Sequence, residues 1–145
     1  MNSNEIKEPT ATVSAFGYEL IRDVLIPDIL GKDTSSILYW AGKSLARKYP
    51  LESHDQIIDF FQKAGWGTLI FENELKNELE CELTGEYITR RLKENQEAHF
   101  QLEAGFLAQQ IEMQRNVISE AYEHPKKRSK KVTFTVKWDN KDHLG

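Results

Sequence analysis

The chain has 145 residues, of which 39% are hydrophobic and 29% charged, and its net charge is −4. This length predicts one domain over residues 1–145, with a core from about 14 to about 138 between polar termini. The negative charge gives no support for nucleic-acid binding, and the single Cys81 excludes an internal disulfide and a multi-cysteine zinc site. No apolar run is long enough to span a membrane, and the polar residues 1–12 do not resemble a signal peptide. We therefore expect a cytoplasmic protein.

The first part of the chain predicts a helix that begins near Ser14. Phe16, Leu20 and Val24 recur at the spacing of one helical face. Pro27 lacks a backbone donor, so we expect it to end or kink this helix. The helix is predicted to belong to the helical layer of the domain.

Two further helices follow. The first starts at Asp33 or Thr34 and runs to about Lys48, and Ser53 with Gln56 forms a capping box that opens the second. The apolar stripe of the first is Ile37, Ala41 and Leu45, with Leu38 and Gly42 beside it; that of the second is Ile57, Ile58, Phe61 and Ala64. Both patterns predict amphipathic helices packed on one side.

The period then changes to the apolar–polar alternation of half-buried strands. One predicted hairpin turns around Asn73 to Asn77, and its outer face carries Glu72, Glu78, Glu80 and Glu82. A second is predicted from the strands Val117 to His124 and Lys131 to Trp138. The first hairpin is acidic, and the second has a basic turn. If the two hairpins are neighbours, opposite charges across the strands stabilise the pairing.

Two helices are predicted between the hairpins, one from Glu86 to about Lys93 and a longer one over roughly Glu97 to Gln114. The long helix has an apolar face formed by Phe100, Ala104, Leu107, Ala108 and Ile111. The predicted fold is therefore α+β, a four-stranded antiparallel sheet built from two hairpins with helices packed on one face. Residues 139–145 are predicted to form a loose polar tail.

Several segments together resemble the uncharacterised bacterial YslB-like family. These segments are Leu38-Tyr39-Trp40-Ala41-Gly42-Lys43, Ala64-Gly65-Trp66-Gly67, Phe100-Gln101-Leu102-Glu103-Ala104-Gly105-Phe106 and Val132-Thr133-Phe134-Thr135-Val136-Lys137-Trp138-Asp139. The pattern is distantly similar to the 4-vinyl reductase domain, to subunits of the TRAPP trafficking complex and to haem NO-binding domains. The resemblance implies helices on a twisted antiparallel sheet, dimerisation in many members and a small or apolar ligand in several. The last two predicted strands lack the cysteines of many 4-vinyl reductase domains, and Cys81 has no counterpart in the acylated cysteine of TRAPP subunits.

Aromatic and small residues are the candidates for a ligand pocket or an interface. These candidates are Trp40, Gly42, Trp66, Gly105, Phe106 and Trp138. Aromatic side chains beside small residues can line a cavity, but they occur more often as core or dimer contacts. A glycine inside a helix, such as Gly42, more often permits close helix contact than chemistry.

A basic cluster occupies the last predicted turn. It consists of Lys126, Lys127, Arg128, Lys130 and Lys131. Such a cluster can bind a phosphate or an acidic partner, although a solvated hairpin tip is the more frequent outcome. No aromatic residue lies between the charges, as single-stranded nucleic acid would require.

Motifs that would support catalysis or metal binding are incomplete in this sequence. Gly42-Lys43-Ser44 lacks the first glycine of a phosphate-binding loop, and Cys81 has no evident base. The four histidines show no ligand spacing, and His99, which could face inward, is more often a satisfied or surface histidine than a haem ligand. No cofactor, metal site or catalytic residue is predicted.

Three functions remain open. The sequence favours a non-enzymatic binding or interaction domain that self-associates, with a homodimer as the expected assembly. The alternative is a domain that binds a small apolar ligand in a pocket between helices and sheet. An enzyme has only the distant resemblance in its favour.

Overall fold

The computed structural model describes the backbone of residues 11–143 and the side chains of residues 11–139. Its helices are α1 (Ala15–Glu19), a π-helical segment (Leu20–Leu25), α2 (Ile26–Leu30), a 3₁₀ turn (Gly31–Asp33), α3 (Thr34–Lys48), α4 (His54–Lys63), α5 (Glu86–Glu94) and α6 (Gln101–Arg115). Its strands are β1 (Thr68–Leu75), β2 (Glu78–Thr84), β3 (Val117–Lys126) and β4 (Lys131–His143). Residues 1–10 and 144–145, which belong to the predicted polar termini, lie outside the described residues.

The four strands form one antiparallel sheet in the order β1-β2-β4-β3. Within the hairpins, β1 pairs with β2 and β3 pairs with β4. The hairpins join through β2 and β4, where Leu79 lies opposite Val136. Helices cover the apolar face, because the inward side chains of both hairpins would otherwise meet water. The predicted α+β fold is confirmed.

The acidic and basic hairpins are neighbours within the sheet, which is the condition that the charge hypothesis required. Glu78 of β2 lies opposite Lys137 of β4, and Lys131 forms an ion pair with Glu82 at 3.3 Å. The rest of the basic cluster is exposed at the hairpin tip. The adjacency therefore comes from strand pairing and leaves the tip itself open.

Helix α6 is the centre of the fold. Residues 103–111 are all buried, including the predicted apolar face at Ala104, Leu107, Ala108 and Ile111. A helix that is buried around its whole circumference must have neighbours on every side. Here the neighbours are α3 on one side and the sheet on the other.

Two glycines allow α3 and α6 to touch backbone to backbone. A Cβ added at Gly42 would lie 2.1 Å from the carbonyl oxygen of Leu102, and one at Gly105 would lie 1.9 Å from that of Tyr39. Neither distance is sterically allowed for a carbon atom. The close approach also shifts the buried stripe of α3 by one residue from the predicted one, to Leu38, Gly42 and Ala46.

Other boundaries also differ from the sequence expectation, including the start of α6 at Gln101 and the end of β3 at Lys126. Helix continues through Pro27 to Leu30, because Pro27 lies in the first turn of α2, where a missing backbone donor is tolerated. The first hairpin turns tightly at Lys76 and Asn77, where Asn77 adopts a positive φ of 68°. Strand β4 continues through His143 instead of ending at Trp138, since β3 supplies a pairing partner.

Candidate functional site

The first helical stretch, α1 through α2, shows its apolar side to solvent. Its exposed large apolar side chains range from 40% to 78% accessible, and they are Phe16, Leu20, Ile21, Val24, Leu25 and Ile29. Its buried residue is Arg22, which is 4% exposed. The predicted face of Phe16, Leu20 and Val24 is correct in spacing, but it points away from the core. We call these six residues the apolar helix face.

Ion pairs attach the inner side of this helix to the domain. Arg22 donates to Glu103 of α6 at 2.7 Å and to the Tyr18 hydroxyl at 3.0 Å. Burial by itself lowers the pKa of Arg22, but the Glu103 carboxylate and Tyr18 raise it well above its ordinary value. Arg22 is therefore charged, and its charge is balanced inside the protein.

Helix α5 supplies two further ion pairs. Arg91 contacts Asp23 at 3.0 Å, and Arg90 contacts Glu19 at 2.8 Å. Arg91 has only 3% of its side chain exposed, whereas Arg90 has 44% exposed. The charged residues at 19, 22 and 23 all face the domain, which leaves the outer face free for apolar side chains.

A cavity of about 290 Å³ opens between the first helical stretch, the start of α3 and the segment that connects α5 to α6. Its walls include Arg22, Arg91 and His99. Within the described residues, Arg22 Nε, Arg91 Nη1 and His99 Nδ1 are buried without a hydrogen-bond partner. Burial, and then the positive charges of Arg91 and Arg22, lower the pKa of His99.

A groove of about 290 Å³ lies beside this cavity, between the helix and the end of α5. Phe16, Leu20 and Val24 form its apolar wall. Asp23, Arg91, Glu94 and Asn95 are among its polar residues. Part of the apolar helix face therefore borders a concave surface.

A second polar cluster joins α3 to β3. The Tyr39 hydroxyl donates to Glu120, accepts from the backbone of Ala121 at 3.0 Å, and lies beside Lys43, which pairs with Glu120 at 3.0 Å. Nearby, Glu123 accepts from the Phe100 backbone at 2.9 Å, and burial raises the pKa of its carboxyl group. This cluster fixes the edge strand against the helices.

The aromatic and small candidates from the sequence divide between interior and surface. Gly42, Gly105 and Phe106 lie at the α3–α6 contact, and Trp66 packs edge-on against Phe106 with ring centroids 5.3 Å apart. Phe60 and Phe61 complete this aromatic cluster, which fills space between helices and sheet.

The two remaining tryptophans lie apart from that cluster. Trp40 is 64% exposed on α3. Trp138 lies on β4 beneath the guanidinium of Arg115, 4.9 Å from the ring centre. The structure therefore brings four of the six candidates together and separates Trp40 and Trp138 from them.

Sequence reasoning missed Arg22, Arg91 and Glu103. A signal for Arg22 exists, since Arg22 and Asp23 interrupt an otherwise apolar run from Leu20 to Ile26. Its partner Glu103 is 81 residues away, however, so no local spacing connects the two. His99 was recognised as a residue that could face inward, and it lines the cavity.

Comparison with known proteins gives one family match and a set of structural neighbours. The family model described as a protein of unknown function (DUF2507) matches residues 15–137. The uncharacterized protein YslB of Bacillus subtilis (strain 168) is 55% identical over 130 residues, which cover 90% of this chain and 88% of that protein.

Among solved structures, a vinyl-4-reductase family protein from Methanocaldococcus jannaschii superimposes with a TM-score of 0.65 at 16% identity, over 90% of this chain and 85% of that one. A mutant of an Fe(II) unliganded H-NOX protein from K. algicida gives a TM-score of 0.58 at 12% identity, over 90% and 76% of the two chains. At these identities the likeness extends to the fold alone. Within the part of the chain that the structure describes, no helix is long and apolar enough to cross a membrane.

Proposed function

The chain belongs to the DUF2507 family of proteins of unknown function, and we propose that it is a non-enzymatic binding domain that self-associates through the apolar helix face. The observation that carries this proposal is the orientation of the first helical stretch, whose apolar side faces solvent and whose charged side faces the domain. Six large apolar side chains face solvent, while the charged residues of the same helix are turned inward and paired. Such a patch on a protein surface marks an interaction site.

A second copy of the chain is the occupant that this surface favours. A two-fold interface places the same patch on both sides, so the patch must complement itself. The apolar helix face meets this requirement because apolar side chains need no opposite charge. An antiparallel arrangement also sets the exposed Asp28, near one helix end, against the positive N-terminal end of the partner helix.

The size of the patch sets the expected strength. The helix is about 24 Å long at about 1.5 Å per residue. Burying a half-exposed aliphatic side chain contributes roughly 1 kcal/mol, so twelve such side chains in a two-fold interface contribute on the order of 12 kcal/mol. Association costs about 4–15 kcal/mol. We therefore expect a reversible dimer whose population rises with concentration.

Two sequence-level expectations accompany this proposal. Trp40 is retained as an additional interface candidate, because a largely exposed indole favours protein contacts. The cytoplasm is the proposed compartment, because a lone buried thiol suits reducing conditions.

Light scattering after size exclusion, repeated over a range of protein concentrations, tests the proposal. We expect the wild type to shift from monomer to dimer as concentration rises. Ile21→Glu, on the apolar helix face, is expected to remain monomeric and folded. Ile70→Glu is the matched control, because Ile70 is similarly exposed on β1 (49% against 57% for Ile21), and it is expected to dimerise like the wild type.

Two results would contradict self-association through this face. One is a wild type that is monomeric at every concentration, and the other is an Ile21→Glu variant that dimerises normally. If a small apolar ligand occupied the groove instead, purified protein would be monomeric and would release an apolar compound on solvent extraction. Native mass spectrometry before extraction distinguishes this outcome, which would replace the dimer.

A further inference from the structure

The geometry points to a binding site for a small oxyanion, of the carboxylate or phosphate type, in the cavity formed by Arg22, Arg91 and His99. This inference does not depend on self-association, because none of the six residues of the apolar helix face lines the cavity. It rests on three features of the cavity: orphaned donors, a helix terminus and the placement of the acidic groups.

The first feature is the set of orphaned donors. Arg22 and Arg91 each have only 3% of the side chain exposed, yet Arg22 Nε and Arg91 Nη1 have no acceptor among the described residues. A buried donor without an acceptor is costly, so proteins seldom keep one without a use. Each guanidinium group beside the cavity has one open nitrogen atom, and the two together offer N–H donors for two oxygen atoms of a carboxylate or phosphate.

The second feature is the N-terminus of α3, a helix of 15 residues. Thr34 and Ser35, in its first turn, both line the cavity. Asp33, the residue before this turn, makes no capping hydrogen bond with its side chain, whereas the Thr34 amide and hydroxyl both donate to the Gly31 carbonyl. The positive end of a helix dipole attracts anions, and here it acts on the same cavity as the two arginines.

The third feature is the placement of the acids. Glu103 contacts Arg22 through Nη2, and Asp23 contacts Arg91 through Nε and Nη2. Each carboxylate therefore occupies part of its guanidinium and leaves the orphaned nitrogen atom open. The acids hold the two arginines in place. Lys32 and Glu97 also line the cavity, so its basic and acidic groups balance in charge. Recognition must therefore come from the open donors, and we expect modest affinity for a singly charged anion.

His99 adds a titratable donor. Burial lowers its pKa, Arg91 and Arg22 lower it further, and Glu103 and Asp23 partly offset them. A bound anion would counter the charge of the arginines and favour the imidazolium form. Anion binding should therefore raise the pKa of His99, which gives a readout that does not depend on activity.

The test uses the full chain with inorganic phosphate and with acetate as separate probes, at constant ionic strength set by sodium chloride. Calorimetric titration and the ¹H–¹⁵N amide shifts of residues 31–35 and 95–99 report binding. We expect saturable binding of at least one probe, with the shifts confined to the cavity. The stronger probe identifies the oxyanion class. Saturable binding of neither probe would overturn the inference.

Arg91→Gln and Arg90→Gln form a matched pair on one helix, because Arg91 lines the cavity and Arg90 does not. Loss of a charged hydrogen bond weakens binding by about ten- to a hundredfold, so we expect this loss for Arg91→Gln and wild-type affinity for Arg90→Gln. Equal affinity in both variants would overturn the site.

A readout in the wild-type chain keeps the inference testable if Arg91→Gln does not fold. The His99 resonance, assigned with His99→Asn, should titrate at higher pH when the bound probe is present. Ser35→Ala should weaken the same response. A pKa of His99 that does not change with either probe would overturn the inference.

Discussion

Two single residues, Gly42 and Gly105, permit the close crossing of α3 and α6. The sequence predicted a structural role for a glycine inside a helix, and the structure gives the reason in atomic terms. Its partner could not be identified from the sequence, because Gly42 faces Leu102 and Gly105 faces Tyr39 across a distance of some sixty residues along the chain.

We predict that Gly105→Ala strongly destabilises the fold. The new methyl group would lie 1.9 Å from the carbonyl oxygen of Tyr39, so the two helices must separate. The expected loss is about 3 kcal/mol or more in the free energy of unfolding, measured by urea denaturation. Gly17→Ala is the control, since its nearest contact is a side-chain oxygen at 3.3 Å. We expect that substitution to change stability by less than about 1 kcal/mol. A Gly105→Ala variant as stable as the control would show that the crossing is not tight.

At the scale of elements, the sequence predicted the strands better than the first helix. Alternation in a strand fixes which residues share a face, and Leu79, Cys81 and Leu83 are all buried as their pattern indicates. Helical spacing in the first helix also fixed which residues share a face. It did not fix which face is inward, because that depends on Glu103, far along the chain, and on helix α5. The spacing alone favours an apolar face that packs on the core. The ion pairs of Arg22 and Asp23 instead hold the charged side of the helix against the domain and leave the apolar side in solvent.

The attachment of this helix by charge leads to a second prediction. Removing one member of a buried ion pair leaves an uncompensated charge, at a cost of about 3–5 kcal/mol. We therefore expect Arg22→Met and Glu103→Gln each to destabilise the fold by that order in urea denaturation. The double variant Arg22→Met/Glu103→Gln should lose less than the sum of the two single changes, because both charges are gone.

A more exposed pair, which joins the first helical stretch to α5, is the control for this cycle. Arg90→Met removes the contact with Glu19, in which 44% of the arginine side chain and 14% of the glutamate side chain are exposed. Fully exposed pairs contribute about 0–1 kcal/mol, so we expect a smaller loss than for Arg22→Met. Strictly additive losses in the Arg22 and Glu103 cycle would mean that the two residues do not act as a pair.

For the whole molecule, the predicted fold class was confirmed because both hairpins and the long helix are encoded locally. The order of the strands in the sheet and the surface sites depend on contacts between distant segments, so local patterns do not predict them. The basic hairpin joins the acidic one through β2 and β4, and this pairing leaves β1 and β3 as the edges. The cavity with Arg22, Arg91 and His99 forms only when three separate segments meet, so composition and spacing could not reveal it.

Partly buried titratable groups predict how the stability of the whole molecule depends on pH. Burial lowers the pKa values of His54 and His99, with additional lowering by Arg115 at His54 and by Arg91 and Arg22 at His99. The unfolded chain then binds protons at a higher pH than the folded chain does. The stability that the neutral histidines contribute is complete above the ordinary value of 6.5 and is lost as the pH falls through their lowered folded values.

Glu123 has the opposite sign. Burial raises its pKa above the ordinary value of 4.5, so the folded chain takes up this proton at a higher pH than the unfolded chain. Its contribution to stability therefore grows as the pH falls through the raised folded value and is complete below the ordinary one. The histidine effect and the Glu123 effect have opposite signs, so the two partly cancel in acid.

Urea denaturation from about pH 8 to about pH 5, in buffers free of phosphate and carboxylate, separates these contributions. We expect the wild type to lose stability as the pH falls through this range. His99→Asn removes one group that lowers stability in acid, so the free energy of unfolding should depend less on pH in this variant. Glu123→Gln keeps an acceptor for the Phe100 amide but removes the compensating proton uptake, so its dependence should be steeper than that of the wild type at the acidic end. Opposite changes in the two variants would locate the pH response in these buried groups, because a response of the exposed surface would be the same in both. Parallel curves for all three proteins would contradict the burial of His99 and Glu123 on which the prediction depends.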